Sequence, residues 1–177
     1  NITTLPRLHT LKLAISSFLS FRAFGQLLRH ESARKLRNLG LLWHRPTDKS
    51  ELENLHHCCS HLNKLSLGFW NNDSDLILDA LQNLMKLSPN LRRLKLLSTD
   101  SKILSISSTL MTYDNLISIK FVLPFNTFKQ RETDRSDVEE WLNSTKSSTF
   151  NYEYSISDTD FRTTLTKKTA LVDLCIM

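Results

Sequence analysis

Glycine is scarce in this 177-residue chain, with three residues in all. That scarcity excludes the glycine-rich loops that cradle phosphates, because such loops need several backbone positions without a side chain. Cysteine is equally sparse: Cys58 and Cys59 are adjacent and Cys175 is distant. Three such residues make no disulfide framework, so reduced thiols and a cytoplasmic or nuclear location are expected. No run approaches the roughly 18 apolar residues of a membrane span, and no basic–apolar–small leader opens the chain. A membrane partner is therefore not expected.

Catalytic signatures are missing too. There is no serine nucleophile elbow, no local Cys–His signature and no metal-binding acidic motif. Asp134, Asp137, Glu139 and Glu140 could be imagined as paired carboxylates, but acids are ordinary at a helix start. The run His56-His57-Cys58-Cys59-Ser60-His61 invites a zinc reading. A zinc site needs a second converging pair of ligands, and none is present at the usual spacing. The expectation is a chain that is not an enzyme and takes no cofactor and no metal.

Leucine is what the chain has in abundance, and it is periodic. The pattern Leu-x-x-Leu-x-Leu occurs at Leu8-Leu11-Leu13, Leu36-Leu39-Leu41, Leu62-Leu65-Leu67 and Leu91-Leu94-Leu96. Leu116-Ile119-Phe121 continues it, and Leu171-Leu174-Ile176 closes the chain. First positions are separated by 28, 26, 29 and 25 residues, then by 55, about two repeats. The skipped unit falls near Ser147, with Phe150 and Tyr152 in its strand positions. Alternate apolar residues of a short strand point to one side. A single unit cannot bury that side, whereas stacked units build one continuous core.

Between strands the pattern turns helical. Phe18–His30 carries apolar residues at helical spacing, and Asp48 or Ser50 can cap a helix running to about Cys59. Asp73 or Ser74 caps a third helix with Leu76, Ile77, Ala80, Leu81, Leu84 and Leu87 facing inward, and Pro89 stops it. Ser101–Thr112 is helical or irregular. Asn126–Arg135 reads as a polar connection, after which Ser136-x-x-Glu139 boxes the start of a short helix. Phe150–Ile156 alternates as a strand. Ser157-x-x-Asp160 offers a second box before a helix over Phe161–Lys168, and Ala170–Met177 is the last strand.

Segments such as Ser88-Pro-Asn-Leu-Arg-Arg-Leu-Lys-Leu96 and Leu5-Pro-Arg-Leu-His-Thr-Leu-Lys-Leu13 resemble the leucine-rich-repeat superfamily. Within it they are similar to the repeat region of F-box proteins. The Asn or Cys that usually follows the last strand leucine is absent, its positions holding Ser16, His44, Trp70, Thr99 and Pro124. The resemblance implies an α/β leucine-rich-repeat solenoid, with a curved parallel sheet on the concave side and helices on the convex side. It would be a single domain over residues 1–177, of about seven irregular repeats, and a fragment of a longer protein; no F-box is visible in these residues, and the resemblance places one upstream of them.

The function so implied is protein–protein interaction, as the substrate-recognition repeats of an F-box type ubiquitin-ligase receptor. The resemblance implies a cullin adaptor subunit as one partner, and the basic residues of the inner face suggest a target that is acidic or phosphorylated. The alternative is a non-catalytic repeat scaffold unrelated to ubiquitin. Lys12, Lys64, Arg93, Lys95 and Lys120 flank the strand leucines on the open side and are the expected contacts. Lys and Arg are also ordinary solvated residues on any exposed sheet face. Trp43 and Trp70, one repeat apart, could anchor a partner, although such aromatics more often tuck into the loop core.

Charge is unevenly distributed. Residues 1–130 carry 17 Lys and Arg against 9 Asp and Glu, a net +8, while residues 131–177 carry 6 against 9, a net −3. The whole is +5, with a pI near 9.2. Nucleic-acid binding follows from that basicity but is disfavoured, because no known nucleic-acid fold or stacking platform is legible.

Overall fold

A computed structural model describes residues 9–15, 26, 29, 35–43, 55, 60–69, 74–124, 128–145, 150–157 and 160–167. Its framework is a seven-stranded sheet in the order β1-β2-β3-β4-β5-β7-β6. The strands are β1 (Thr10–Ile15), β2 (Asn38–Trp43), β3 (Lys64–Phe69), β4 (Arg93–Ser98), β5 (Ser118–Pro124), β6 (Phe150–Ile156) and β7 (Asp160–Lys167). The described helices are α1 (Ser74–Lys86), a 3-10 turn over Ser101–Ile106 that runs into α2 (Ser107–Met111), and α3 (Phe128–Thr145).

The first five strands are parallel and consecutive, paired with no slip from unit to unit. A repeated backbone junction sets this register. The amides of Arg37 and Asn38 both donate to the His9 carbonyl, those of Asn63 and Lys64 to Arg37, and those of Arg92 and Arg93 to Asn63. Ile117 and Ser118 donate to Arg92 in the same way. Each strand therefore starts at the same level as its neighbour, and equivalent residues line up across the sheet.

That alignment turns the leucine pattern into ladders. Leu39, Leu65, Leu94 and Ile119 form one row and Leu41, Leu67, Leu96 and Phe121 the next, all nearly or fully buried. Burying each such side chain contributes about 1.5–3 kcal/mol. The helices cover this face: Leu81, Leu84 and Met85 of α1, Leu110 and Met111 of α2, and Val138 and Leu142 of α3 are buried in the same cluster. Asn115 Nδ2 donates to the Ser88 carbonyl at 2.7 Å and Asn90 Nδ2 to the Ser60 carbonyl at 2.6 Å, tying the turns of successive units together.

The carboxy-terminal part departs from the expected architecture. β7 runs antiparallel to β5, and β6 runs antiparallel to β7. The two strands are a hairpin added to the sheet, not sixth and seventh repeats. A solenoid of about seven units with a parallel sheet is therefore overturned: the molecule has a mixed, mostly parallel sheet with helices. The expected helix over Phe161–Lys168 is strand β7, in which Phe161, Thr163 and Leu165 are buried in strict alternation. Ser157 and Asp160, read as a helix cap, close the hairpin. The Ser157 amide donates to the Asp160 carbonyl at 2.8 Å, and the Asp160 amide donates to Ser157 Oγ at 3.0 Å.

Two further expectations are corrected. The polar connection Asn126–Arg135 is helical from Phe128, and α3 passes through the Ser136 box without a break. Lys, Gln, Arg and Glu are good helix formers, so the segment needs no apolar stripe of its own to continue the helix that Val138 and Leu142 anchor. Leu87 is 52% exposed, because α1 ends at Lys86 and the chain turns before the residue reaches the core. Of the expected helix Phe18–His30, Gln26 and Arg29 are described, both helical. The remainder of that helix, the helix ending near Cys59 (Leu55 apart), the loop holding Trp70 and the strand Ala170–Met177 lie outside the described residues.

Candidate nucleic-acid interface

Side chains alternate across a strand, so the residues between the ladder leucines share the opposite face. The register arranges them in rows. Lys12, Gly40, Ser66, Lys95, Lys120 and Thr164 form the central row. Lys64 and Arg93 are neighbours in the row before it, and Leu42, Gly68, Leu97, Val122 and Arg162 make the row after it. Lys12, Lys64, Arg93, Lys120 and Arg162 are exposed, and Lys95 is half-buried. No helix named above packs on this face.

The five expected basic residues, Lys12, Lys64, Arg93, Lys95 and Lys120, thus lie on one surface. Arg162 belongs with them, although the capping pattern at Ser157 and Asp160 predicts a helix over its segment and gives it no place on this face. Trp43 lies in β2, its side chain outside the described residues, as is the whole of Trp70.

Across β1–β5 this face carries no acid at the paired positions. The acids come with the hairpin: Glu153 pairs opposite Thr164 on β6, and Asp160 holds Arg162 through Nη2 at 2.6 Å and Nε at 3.0 Å. Among the described residues no ion pair neutralises Lys12, Lys64, Lys95 or Lys120. Lys95 registers the consequence. Its ammonium is held below the ordinary lysine range first by partial burial, then by repulsion from Lys120, Arg162, Lys64 and Lys12. The clustered cations give this face a positive potential.

Among the described residues, two hollows flank the sheet. The larger, about 580 Å³, lies on the helical side between the 3-10 turn, α2 and α3, with Met111, Trp141 and Leu165 among its apolar walls. Its rim mixes Lys102 with Asp137, Glu140 and serines, and Ser101 Oγ already donates to Asp137 at 2.7 Å, so no single charge or donor set converges there. The smaller, about 380 Å³, lies within the basic face, between Lys12 and Lys95. The field therefore singles out the smaller hollow.

Among the described residues no group of three His, Cys, Asp or Glu side chains could hold a metal ion. Most of the His56–His61 run lies outside them. No helix among the described residues is long and apolar enough to cross a membrane.

No family model matches the chain, and no curated protein matches it. Several solved structures align with it. One is a Streptococcus agalactiae protein of the NADB-Rossmann superfamily, 8% identical, covering 89% of this chain and 70% of that one, TM-score 0.33. Another is a putative tRNA (m1A22) methyltransferase from Streptococcus pneumoniae in complex with S-adenosyl-L-methionine, 7% identical, covering 89% and 77%, TM-score 0.31. A third is a human methyltransferase 10 domain containing protein, 10% identical, covering 86% and 83%, TM-score 0.31.

The resemblance to leucine-rich-repeat and F-box proteins is withdrawn, because the sheet is mixed and ends in an antiparallel hairpin where further parallel repeats are expected. With it fall the ubiquitin-ligase receptor, the alternative repeat scaffold and the cullin adaptor, which rested on that resemblance, and the acidic or phosphorylated protein target, which rested on the basic inner face of a repeat solenoid. The expectation of a non-enzyme is withdrawn as well: it rested on the absence of catalytic motifs, and such an absence excludes no activity. At TM-scores near 0.3 the alignments carry no argument about the fold, cofactor or activity of this chain. In a doubly wound sheet the ligand crevice opens where strand order reverses; from β1 to β5 the order here is consecutive.

Proposed function

We propose that this chain binds nucleic acid, as a single strand, across the basic face of its sheet. One observation carries the reading: Lys12, Lys64, Arg93, Lys95, Lys120 and Arg162 share an open face that has no acid from β1 to β5. A phosphodiester backbone supplies the regularly spaced anions that such a surface lacks, and binding releases the counterions condensed on it. Sheet faces suit single strands, because a strand can lie across them without the groove fit that a duplex requires. The described part of the face has no aromatic residue, so the backbone, not base stacking on rings, supplies most of the affinity.

Fluorescence anisotropy with a labelled oligouridylate, and with its DNA counterpart, tests this over a series of salt concentrations. Binding should weaken steeply with salt, at about 0.7 log units per log unit of salt for each phosphate engaged. Lys95→Glu with Lys120→Glu should weaken it at least tenfold and flatten the salt slope. Wild-type binding that is absent, or unchanged by the double reversal, refutes the reading.

A further inference from the structure

The central row of the basic face is interrupted. Between Lys12 on β1 and Lys95 on β4 stand Gly40 and Ser66, so over two strands the face has almost no side-chain bulk. The gap between the lysines spans three strand intervals, about 14 Å. Below it, Leu42 leans over Gly68: a Cβ at Gly68 would come within 2.6 Å of Leu42 Cδ1 and 3.5 Å of Leu97 Cδ2. These two leucines, Leu42 exposed and Leu97 half-buried, close the lower edge of the 380 Å³ hollow. The result is a flat floor of backbone, an apolar wall, one hydroxyl and a cation at either end.

We infer that this hollow is a nucleobase subsite: one base of a bound strand lies over Gly40 and Ser66 against Leu42 and Leu97, with its flanking phosphates at Lys12 and at Lys95 with Lys120. This rests on the single-strand reading and sharpens it. A cationic row by itself needs no gap and no leucine wall. A row that drops to bare backbone midway, with a large apolar side chain left exposed beside the drop, matches a planar, partly apolar group carried between two anions. The volume falls within the range of small-ligand pockets. Ser66 Oγ is placed to hydrogen-bond a base edge, and because a hydroxyl both donates and accepts it imposes little choice of base.

Filling the hollow without changing charge separates the two ideas. At Gly40 an added Cβ would meet Lys12 Cγ at 3.2 Å and nothing else closer than 3.8 Å, so the first carbon of a valine side chain fits once Lys12 gives by a few tenths of an ångström. Valine also suits a strand. The whole chain is titrated with an oligouridylate, an abasic strand of equal length, and heparin. For wild type, the oligouridylate should bind about tenfold tighter than the abasic strand, roughly the worth of burying one base against the leucine wall. In Gly40→Val that difference should vanish while heparin affinity stays within about twofold.

Ser66→Val provides the same reading should Gly40→Val fail to fold. The subsite is overturned if wild type binds both strands equally, if the filled variant keeps its preference for bases, or if oligouridylate and heparin affinity fall together. Failure of wild type to bind any strand overturns the single-strand reading itself, and the subsite with it.

Discussion

Lys95 on β4 and Lys120 on β5 occupy paired positions on the same face of the sheet, and each is a cation. This arrangement stores repulsion in the unliganded fold. Lys95 is partly buried, and its lowered pKa follows first from that burial and then from Lys120, Arg162, Lys64 and Lys12. Lys95→Gln is therefore expected to raise Tm at low salt. The gain should shrink between ~0.01 M and ~0.1 M salt, as the screening length drops from about 30 Å to about 10 Å. The sign with pH follows from linkage. A lysine that is harder to charge in the folded chain penalises the fold fully at neutral pH, and the penalty fades as pH rises through the folded pKa towards 10.5. Thermal melts of both proteins should converge at the alkaline end; a gain that persists there, or is absent at low salt, refutes the stored repulsion.

Asp160 restrains the same field. Its carboxyl is held below the ordinary range chiefly by its hydrogen bond from Arg162; burial acts in the opposite direction, and the Ser157 hydroxyl and the Arg162 charge add to the lowering. Its contribution to stability is present above the ordinary carboxyl value of 3.8 and is lost as pH falls through the lower folded value. Arg162 is exposed, so the pair adds little to stability. The larger effect should be on binding. Asp160→Asn releases Arg162 to the basic face, and oligouridylate should bind tighter with a salt slope steeper by about 0.7. Unchanged or weaker binding in a salt titration would remove Arg162 from the interface.

How far the sequence could be read depends on what each signal encodes. Leu-x-x-Leu-x-Leu specifies alternation, so the positions of β1–β5 and the shared face of Lys12, Lys64, Arg93, Lys95 and Lys120 were legible. Strand direction is not encoded in alternation. The alternation of Phe150–Ile156 predicts the strand that is found, but its antiparallel pairing with β7 is closed by hydrogen bonds between Ser157 and Asp160, two residues whose spacing also fits a helix cap. The signal that separates the two lies downstream: Phe161, Thr163 and Leu165 alternate at period two, and β-branched threonines favour a strand. Reading that period would have recovered both β7 and Arg162. α3 was shortened for a related reason, since residues 128–135 show no apolar stripe and periodicity alone cannot extend a helix through them.

Leu84 and Leu87 make a paired test of where the core ends. Both fit the helical period of α1, yet Leu84 is 5% exposed and Leu87 is 52% exposed. Leu84→Ala should destabilise the fold by about 2–5 kcal/mol through the cavity it leaves. Leu87→Ala should fall within about 0.5 kcal/mol of wild type. Urea denaturation with an unchanged m-value measures both. Comparable losses at the two sites would mean that Leu87 packs inward, as periodicity alone suggests.

Trp141 joins the hairpin to the rest of the molecule. Its indole stands edge-on to Phe121 of β5 and to Phe161 of β7, each at 6.4 Å between ring centres, and its Nε1 donates to Ser107 Oγ at 3.2 Å. One side chain on α3 thus touches the last parallel strand, the added antiparallel strand and α2. Trp141→Ala should cost about 3 kcal/mol, the lower end for a large aromatic because the residue is only half-buried, and lower Tm by roughly 6–12 °C. Trp141→Phe keeps a ring between Phe121 and Phe161 and loses only the bond to Ser107, a loss of about 1 kcal/mol. Both changes lie on the helical side, opposite the lysines, so oligouridylate affinity in the folded variants should stay at the wild-type value. A loss of binding in folded Trp141→Phe would place the interface on the helical side and count against the basic face. A loss of stability under about 1 kcal/mol in Trp141→Ala would mean that the ladder hydrogen bonds and the buried Phe161 and Leu165 hold the hairpin to β5 with little help from the indole.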